Sequence, residues 1–251
     1  MTKCKLQTKN QGLYQSDYEH DACGVGMVVN IHGGKSHELV DNALKVLENM
    51  EHRGAETRDK TGDGAGIMVQ IPHEFILLQG IPVPEKGKYG TGLVFLPKDE
   101  DAQQAIISVM IEEIEREGLT LMHLRTVPTN PEVLGAAARE VEPDIKQVFI
   151  KSLTPGPSPR GEGSDYYQDE EAALNRKLYI IRKRIENRVV ALAKASTPLS
   201  PIEVGRVGGE AFYICSLSTK NIIYKGMLTS GQLRRYFPDL SNDYFTSGLA
   251  L

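Results

Sequence analysis

The feature that most constrains this chain is a cysteine at the head of an apolar, β-prone run, Asp21-Ala22-Cys23-Gly24-Val25-Gly26-Met27-Val28-Val29-Asn30. Only 22 residues, mostly polar, precede the cysteine. This placement is typical of a nucleophile that is exposed when a short leader is removed. A thiolate is a strong nucleophile, and a free α-amine at the same residue, with a pKa of about 7.7–8.0, can serve as its base. The alternative is that Cys23 is a small apolar residue that begins a buried strand.

Two glycine-containing motifs follow this run. The stretch Met50-Glu51-His52-Arg53-Gly54-Ala55 is predicted to close a helix, and Thr61-Gly62-Asp63-Gly64-Ala65-Gly66-Ile67 is predicted to open a strand. In this order and at this spacing, the three motifs resemble the start of a class II glutamine amidotransferase domain. A longer motif around the cysteine is similar to the amino-terminal domain of the glutamate synthase large subunit. Its sequence is Glu19-His20-Asp21-Ala22-Cys23-Gly24-Val25-Gly26. The resemblance extends, with gaps, from about Tyr18 to the last residue.

Helices and strands are predicted to alternate irregularly, which favours an α+β sandwich with helices that cover stacked antiparallel sheets. The resemblance implies the four-layer αββα sandwich of the N-terminal-nucleophile hydrolases. It also implies a leader over residues 1–22 and a partial amidotransferase domain over residues 23–251. Within that domain, residues 153–169 contain a proline- and glycine-rich stretch with almost nothing to bury. They are predicted to form a flexible insertion loop.

Caps and apolar spacing predict the individual elements. Ser36 is predicted to cap a helix that Gly54 ends. Residues 211–216 and 221–224 are predicted to be the two strands of a hairpin. A helix over 99–118 is predicted to bury Ile106, Met110, Ile111 and Ile114. A longer helix over 169–195 is predicted to bury Leu174, Leu178, Ile181, Ile185, Val189 and Leu192.

The resemblance assigns a chemical role to Cys23. In the family the leader is cut off just before the cysteine, whose thiol attacks the side-chain amide carbon of L-glutamine. Ammonia leaves, a γ-glutamyl thioester forms, and water releases glutamate. Cys23 is therefore expected to be the catalytic nucleophile and its freed amine the general base, while Gly24 lets the backbone pass close to the substrate. A chain that keeps the leader is expected to be inactive, because an amide nitrogen cannot accept the proton.

Arg53 and Gly54 match a family motif whose arginine packs beside the nucleophile. Arg53 is expected to hold the loop of Cys23 or to tune its thiol through positive charge. The alternative is that Arg53 compensates the dipole at the end of a helix. His52 is interpreted as a polar surface residue rather than as the partner of a Cys–His dyad.

Gly62, Gly64 and Gly66 also fit the composition of a phosphate-binding loop. However, no lysine and no helix start follow them, as a P-loop requires, and a strand follows instead. The three glycines are therefore predicted to allow a close backbone approach near the active site. Asp63 is predicted to cap the turn and not to act in catalysis.

The next motifs of the family do not occur in this sequence. In the family, a His-Ser-Arg-Phe-Ser-Thr-Asn segment supplies the arginine that holds the glutamine α-carboxylate, and Asn-Gly-Glu supplies the oxyanion-hole donors. Loss of one such donor costs on the order of 10²–10³ in turnover. The domain is therefore expected to be incomplete at its C-terminus. The FMN and the iron–sulfur cluster of the family are expected in the missing remainder, with no cofactor and no metal in this segment.

Composition and charge restrict the kinds of partner and the cellular compartment that we expect for this chain. The net charge of −4 and the absence of a long apolar run argue against a nucleic-acid or membrane partner. The basic residues of the long helix, including Arg182, Lys183 and Arg188, are interpreted as a solvated face with acidic neighbours. The three cysteines, Cys4, Cys23 and Cys215, form no Cys-x-x-Cys pair, and a reducing, cytoplasmic setting fits them.

Two functions remain open at this point. The first is the glutaminase portion of a glutamate synthase, with L-glutamine as substrate and the missing synthase domains or a complementary chain as partner; a small subunit is a further partner that the resemblance allows. The second is a catalytically dead fragment that acts only as a folded or interaction remnant. A third interpretation, a glycine-rich nucleotide-binding module, has little support because the P-loop lysine is missing.

Overall fold

A computed structural model describes residues 24–152, 170–196, 206–207 and 210–251. The predictions for the leader 1–22, for Cys23 and for the loop 153–169 lie outside these residues. The helices of the described part are α1 (His37–Asn49), α2 (His73–Leu78), α3 (Glu100–Arg116), α4 (Ala136–Glu140), α5 (Glu170–Ser196) and α6 (Leu233–Tyr236). The strands are β1 (Val28–Val29), β2 (Ala65–Gln70), β3 (Tyr89–Leu96), β4 (Leu119–Thr126), β5 (Asp144–Ser152), β6 (Arg206–Val207), β7 (Glu210–Ala211), β8 (Tyr213–Ile214), β9 (Asn221–Gly226) and β10 (Leu249–Ala250).

The described strands form two four-stranded antiparallel sheets and one short pair. Sheet I has the order β1-β10-β2-β9, and sheet II has the order β4-β5-β3-β8. Strands β6 and β7 form the short pair. The longest register in sheet I runs from Ala65 opposite Gly226 to Gln70 opposite Asn221. Because side chains alternate between the faces of a strand, Val69 and its partner Ile222 lie on one buried face of sheet I.

Two hydrophobic cores lie on opposite faces of sheet II. The first core joins Leu93 and Phe149 of sheet II to Val69 and Tyr224 of sheet I and to Leu44 of α1. The second core lies between the other face of sheet II and the helices α3 and α5. The α+β sandwich predicted from the sequence is therefore confirmed, with antiparallel sheets that share a core and helices that cover them.

Helix α1 begins where the sequence predicts but ends earlier. Ser36 Oγ accepts a hydrogen bond of 3.2 Å from the Leu39 amide, which is the expected N-cap. The helix ends at Asn49, and residues Glu51–Arg53 form a separate 3₁₀ turn. Gly54 follows that turn with an extended backbone (φ −92°, ψ 165°). Gly54 therefore ends the 3₁₀ turn and not the helix, and it does not need the left-handed conformation of a glycine cap.

The predicted hairpin over residues 211–216 and 221–224 is wrong. Strand β8 pairs with β3 in sheet II, whereas β9 pairs with β2 in sheet I. The Cys215 amide donates to the Leu93 carbonyl over 3.0 Å, which continues the alignment with β3. A side chain at Gly92 would overlap the Ser216 carbonyl, so this glycine lets the segment run against β3. Both strands find longer-range partners, and the residues between them cross from one sheet to the other.

Two of the predicted core positions on the helices are exposed. In α3, Ile106, Met110 and Ile114 are buried as predicted, but Ile111 is 36% exposed and Val109 is buried instead. In α5 the predicted positions from Leu174 to Val189 are buried, but Leu192 is 46% exposed. Each helix therefore buries a narrower stripe than its apolar residues alone suggest.

The basic face of α5 is paired with acidic residues. Arg182 and Lys183 both contact Glu186, at 2.8 and 2.7 Å, and Arg188 contacts Glu112 and Glu113 at 2.8 Å each. These contacts agree with the interpretation of a solvated face with acidic neighbours. Among the helices of the described residues, none combines the length and the apolar composition needed to cross a membrane.

A buried ion pair joins sheet II to the turn at Pro238–Ser241, and the sequence does not signal it. Arg125 of β4 donates to both carboxylate oxygens of Asp239, at 2.7 and 2.8 Å. The Tyr224 hydroxyl donates to the same carboxylate over 2.9 Å. Burial opposes the charge of Arg125, but the hydrogen bonds and the charge of Asp239 raise its pKa above the ordinary value. The pair therefore fixes three elements of the first core in one arrangement.

Candidate active site

A cleft of about 510 Å³ opens between four segments of the first core's edge. Gly24 and Val25 form one wall, and the end of α1 with the turn Glu51–Arg53 forms the second. Residues 54–56 and 63–65 form the third wall, and residues 228–230 form the fourth. The volume lies within the range of small-molecule sites.

The predicted support residues Gly24, Arg53 and Gly54 lie together in this cleft. A Cβ atom placed on Gly24 would lie 3.2 Å from both the Arg53 Cβ and the Met50 sulfur. A Cβ atom on Gly26 would lie 2.5 Å from a methyl group of Val46. Residues 24–26 therefore approach α1 and its turn as closely as glycine allows. The catalytic and supporting roles themselves stay predictions.

Charges of both signs line the cleft. The basic residue Arg53 and the acidic residues Glu51, Glu56 and Asp63 are among the residues that line it. Arg53 is the last residue of the 3₁₀ turn, so its position also fits the alternative of a cation at a helical C-terminus. His52 is exposed and is not among the residues that line the cleft, which agrees with its interpretation as a polar surface residue.

The glycine-rich stretch makes the close backbone approach that the sequence predicts. A Cβ atom on Gly62 would overlap the carbonyl group of Leu228 and the amide nitrogen of Thr229. A Cβ atom on Gly66 would lie 2.7 Å from the Lys225 Cβ. The third and fourth walls of the cleft therefore touch through their main chains.

Asp59 organises the loop that precedes these glycines, a role that was not predicted from the sequence. Its carboxylate accepts hydrogen bonds from the Ala137 amide at 2.9 Å, from the Thr61 hydroxyl at 2.8 Å and from the Thr57 hydroxyl. The Ala137 amide, followed by the Thr57 hydroxyl, holds the pKa of Asp59 well below its usual range. The pattern Thr57-x-Asp59-x-Thr61 was the available signal, because such side chains bond to nearby backbone groups in turns.

We expect Gly62→Ala to lower the free energy of unfolding by about 1–3 kcal/mol, because the added methyl group must displace main-chain atoms. Gly231→Ala is the matched control, since a Cβ atom there meets nothing within 4 Å. Urea unfolding of both variants measures the difference. Equal midpoints for the two variants would contradict the close approach of the two walls.

Comparison with known proteins gives consistent matches across this chain. Residues 23–251 match the family "Glutamine amidotransferases class-II". The large chain of an NADPH glutamate synthase from Bacillus subtilis (strain 168) is 38% identical over 246 residues, which cover 97% of this chain and 14% of that protein. An NADH glutamate synthase from Saccharomyces cerevisiae is 36% identical over 250 residues, which cover 96% of this chain and 10% of that protein. Ferredoxin-dependent glutamate synthase 2 from Synechocystis sp. is 36% identical over 238 residues, which cover 93% of this chain and 13% of that protein. The chain thus spans only about a seventh or less of the length of these relatives.

Proposed function

The chain belongs to the class II glutamine amidotransferases, and we propose that it is the glutamine-hydrolysing portion of a glutamate synthase. One observation carries the proposal: relatives named as NADPH-, NADH- and ferredoxin-dependent glutamate synthases match 93–97% of this chain. These relatives differ in electron donor but share this segment. The segment therefore serves a step that is independent of the donor, and hydrolysis of glutamine is such a step.

In the proposed reaction, Cys23 is the nucleophile of the mature chain. Its thiol proton passes to its own α-amine, and the sulfur attacks the side-chain amide carbon of L-glutamine. The carbon–nitrogen bond breaks, the nitrogen takes up the proton, and ammonia leaves a γ-glutamyl thioester. Water then cleaves the carbon–sulfur bond, which releases glutamate and restores the thiol. Gly24, which follows Cys23 directly in the sequence, lines the cleft, and this supports the proposed role of Cys23 as the nucleophile.

The charges of the cleft suit a zwitterionic amino acid. Glutamine carries an α-ammonium group and an α-carboxylate, and both acidic residues (Glu51, Glu56 and Asp63) and the basic residue Arg53 line the cleft. The Arg53 Cβ and Cγ lie close to Gly24, and we propose that the positive charge of this side chain favours the thiolate form of Cys23. This arrangement supports the roles that we propose for Gly24, Arg53 and Gly54.

The remaining parts of the proposal concern partners and cofactors. We assign the FMN and the iron–sulfur cluster to synthase domains outside this segment. Among the described residues, no group of three or more His, Cys, Asp or Glu side chains is placed to hold a metal ion. The synthase domains are the proposed acceptors of the ammonia, and a small subunit is a further proposed partner. We also propose a cytoplasmic setting, which fits the odd number and wide spacing of the three cysteines.

Ammonia release from L-glutamine tests the proposed function. The chain would be prepared both with residues 1–22 and with Cys23 as its first residue, each within a full-length glutamate synthase large chain. We expect hydrolysis when Cys23 comes first and at least about a hundredfold less when the leader blocks the amine. Ammonia release at equal rates from both forms would contradict the proposed role of the amine. No release from either would favour the alternative of a catalytically inactive folded remnant.

A further inference from the structure

Gln232 lies behind the cleft, where its side chain bonds to three separate segments. Its amide nitrogen donates to the Lys60 carbonyl over 2.9 Å and to the Val133 carbonyl over 2.8 Å. Its amide oxygen accepts from the Thr229 amide over 2.8 Å. Both donor hydrogens and the acceptor are therefore used. The residue is only 7% exposed, so water cannot replace these partners easily.

Two of the three segments lead directly into walls of the cleft. Thr229 lies in the fourth wall, and Lys60 precedes the glycine-rich stretch that enters the third wall. The Gln232 carboxamide thus connects these walls from behind, while Gly62 brings their main chains into contact. The hydrogen bond from Gln232 to the Val133 carbonyl connects these two walls to the turn at Pro131–Val133.

The loop around Lys60 depends on such contacts for its shape. Lys60 has a positive φ of 64°, an unfavourable conformation for a residue with a side chain. The loop contains no helix. Its local support comes from the Asp59 carboxylate, from the bridge between Glu56 and Gly62, and from a 2.9 Å bond of the Lys60 amide to the Thr57 carbonyl. Such a conformation persists only where the surroundings enforce it. The Gln232 amide nitrogen donates its hydrogen bond to the carbonyl of Lys60, the residue with the strained backbone.

We propose that Gln232 is a positioning residue for glutamine binding: its carboxamide holds the loop of residues 57–64 against residues 228–230 and so sets the width of the cleft. This inference rests on the proposed function, since it takes glutamine as the occupant of the cleft. Gln232 is not among the residues that line the cleft, so its proposed effect on binding is indirect.

A simpler role must be separated from this one. Thr229 and Gln232 also form a capping box for the turn Ser230–Gln232. Glutamate serves equally well in a capping box. Gln232→Glu therefore keeps the acceptor for the Thr229 amide but loses both donors to Lys60 and Val133. Gln232→Met loses all three hydrogen bonds. The two variants together distinguish a role in capping the turn from a role in holding residues 57–64 against residues 228–230.

The test measures two quantities on the full-length protein that begins at Cys23. Amide hydrogen exchange is expected to become about tenfold faster or more over residues 57–64 in both Gln232 variants, with residues 144–152 unchanged. The KM for L-glutamine is expected to rise by about tenfold, with kcat within a few-fold of the parent protein. The control is Gln103→Met, which loses one side-chain bond, to the Pro97 carbonyl, at the start of α3.

The outcomes separate the positioning role from the proposed function. If Gln232→Glu matches the parent protein in exchange and in KM, the residue is only a cap and the proposal is overturned. If the rate of amide hydrogen exchange over residues 57–64 rises but the KM for L-glutamine stays constant, the hydrogen bonds of Gln232 do not shape the glutamine site. The positioning role is then overturned. Failure of the parent protein to hydrolyse glutamine would overturn the proposed function itself, and the positioning role with it.

Discussion

Asp239→Ala is expected to lower the free energy of unfolding by about 3–5 kcal/mol, because it leaves a buried guanidinium without its partner. Arg125 is only 10% exposed at its side chain and would keep one weaker bond, to the Gln147 amide oxygen at 3.2 Å. The Tyr224 hydroxyl, which is fully buried, would lose its acceptor as well. Since domains of this kind are stable by only about 5–15 kcal/mol, the variant is expected to be largely unfolded in mild denaturant.

Two further variants make this expectation specific. Lys86→Ala breaks an exposed pair with Glu74, whose side chains are 52% and 53% exposed, and should change stability by less than about 1 kcal/mol. The double variant Arg125→Met with Asp239→Leu removes both charges and should recover much of the loss. Urea midpoints for the three variants give the comparison. A loss for Asp239→Ala no larger than that for Lys86→Ala would show that the buried pair does not hold the fold.

The elements that the sequence predicted are those with a local signal. Ser36 and Asp99 each precede a helix and accept a bond from an amide three residues on, as N-caps do. The apolar spacing of α3 identified most of its buried stripe. The glycine-rich stretch was assigned to a close backbone approach, because the lysine of a P-loop was missing. In each case, the prediction depends on residues that are only a few positions apart in the sequence.

The features that the sequence did not predict depend on residues far apart in the chain. Arg125 and Asp239 are 114 positions apart, and Gln232 and Lys60 are 172 apart. No periodicity links such pairs, so only the fold brings them together. The wrong hairpin has the same cause, since β8 and β9 are neighbours in sequence but bond to strands of different sheets. The same limit applies to the fourth wall of the cleft, at residues 228–230.

Cys23→Ala is expected to reduce glutamine hydrolysis by at least about 10⁴-fold, because loss of a covalent nucleophile removes the attacking group itself. Cys215→Ala is the matched control. Cys215 is buried in the first core, and burial raises the pKa of its thiol to about 11, which keeps the sulfur protonated and unreactive near neutral pH. The control variant should therefore lose some stability but keep its turnover.

The most direct test of the account is the rate of ammonia release from L-glutamine by full-length protein that begins at residue 23, compared with the same protein carrying Cys23→Ala or Cys215→Ala. We predict that the first substitution abolishes release and that the second leaves it within a few-fold of the parent rate. Undiminished release from the Cys23→Ala protein would contradict the account, because the nitrogen would then be set free without the thiol on which the proposed chemistry depends.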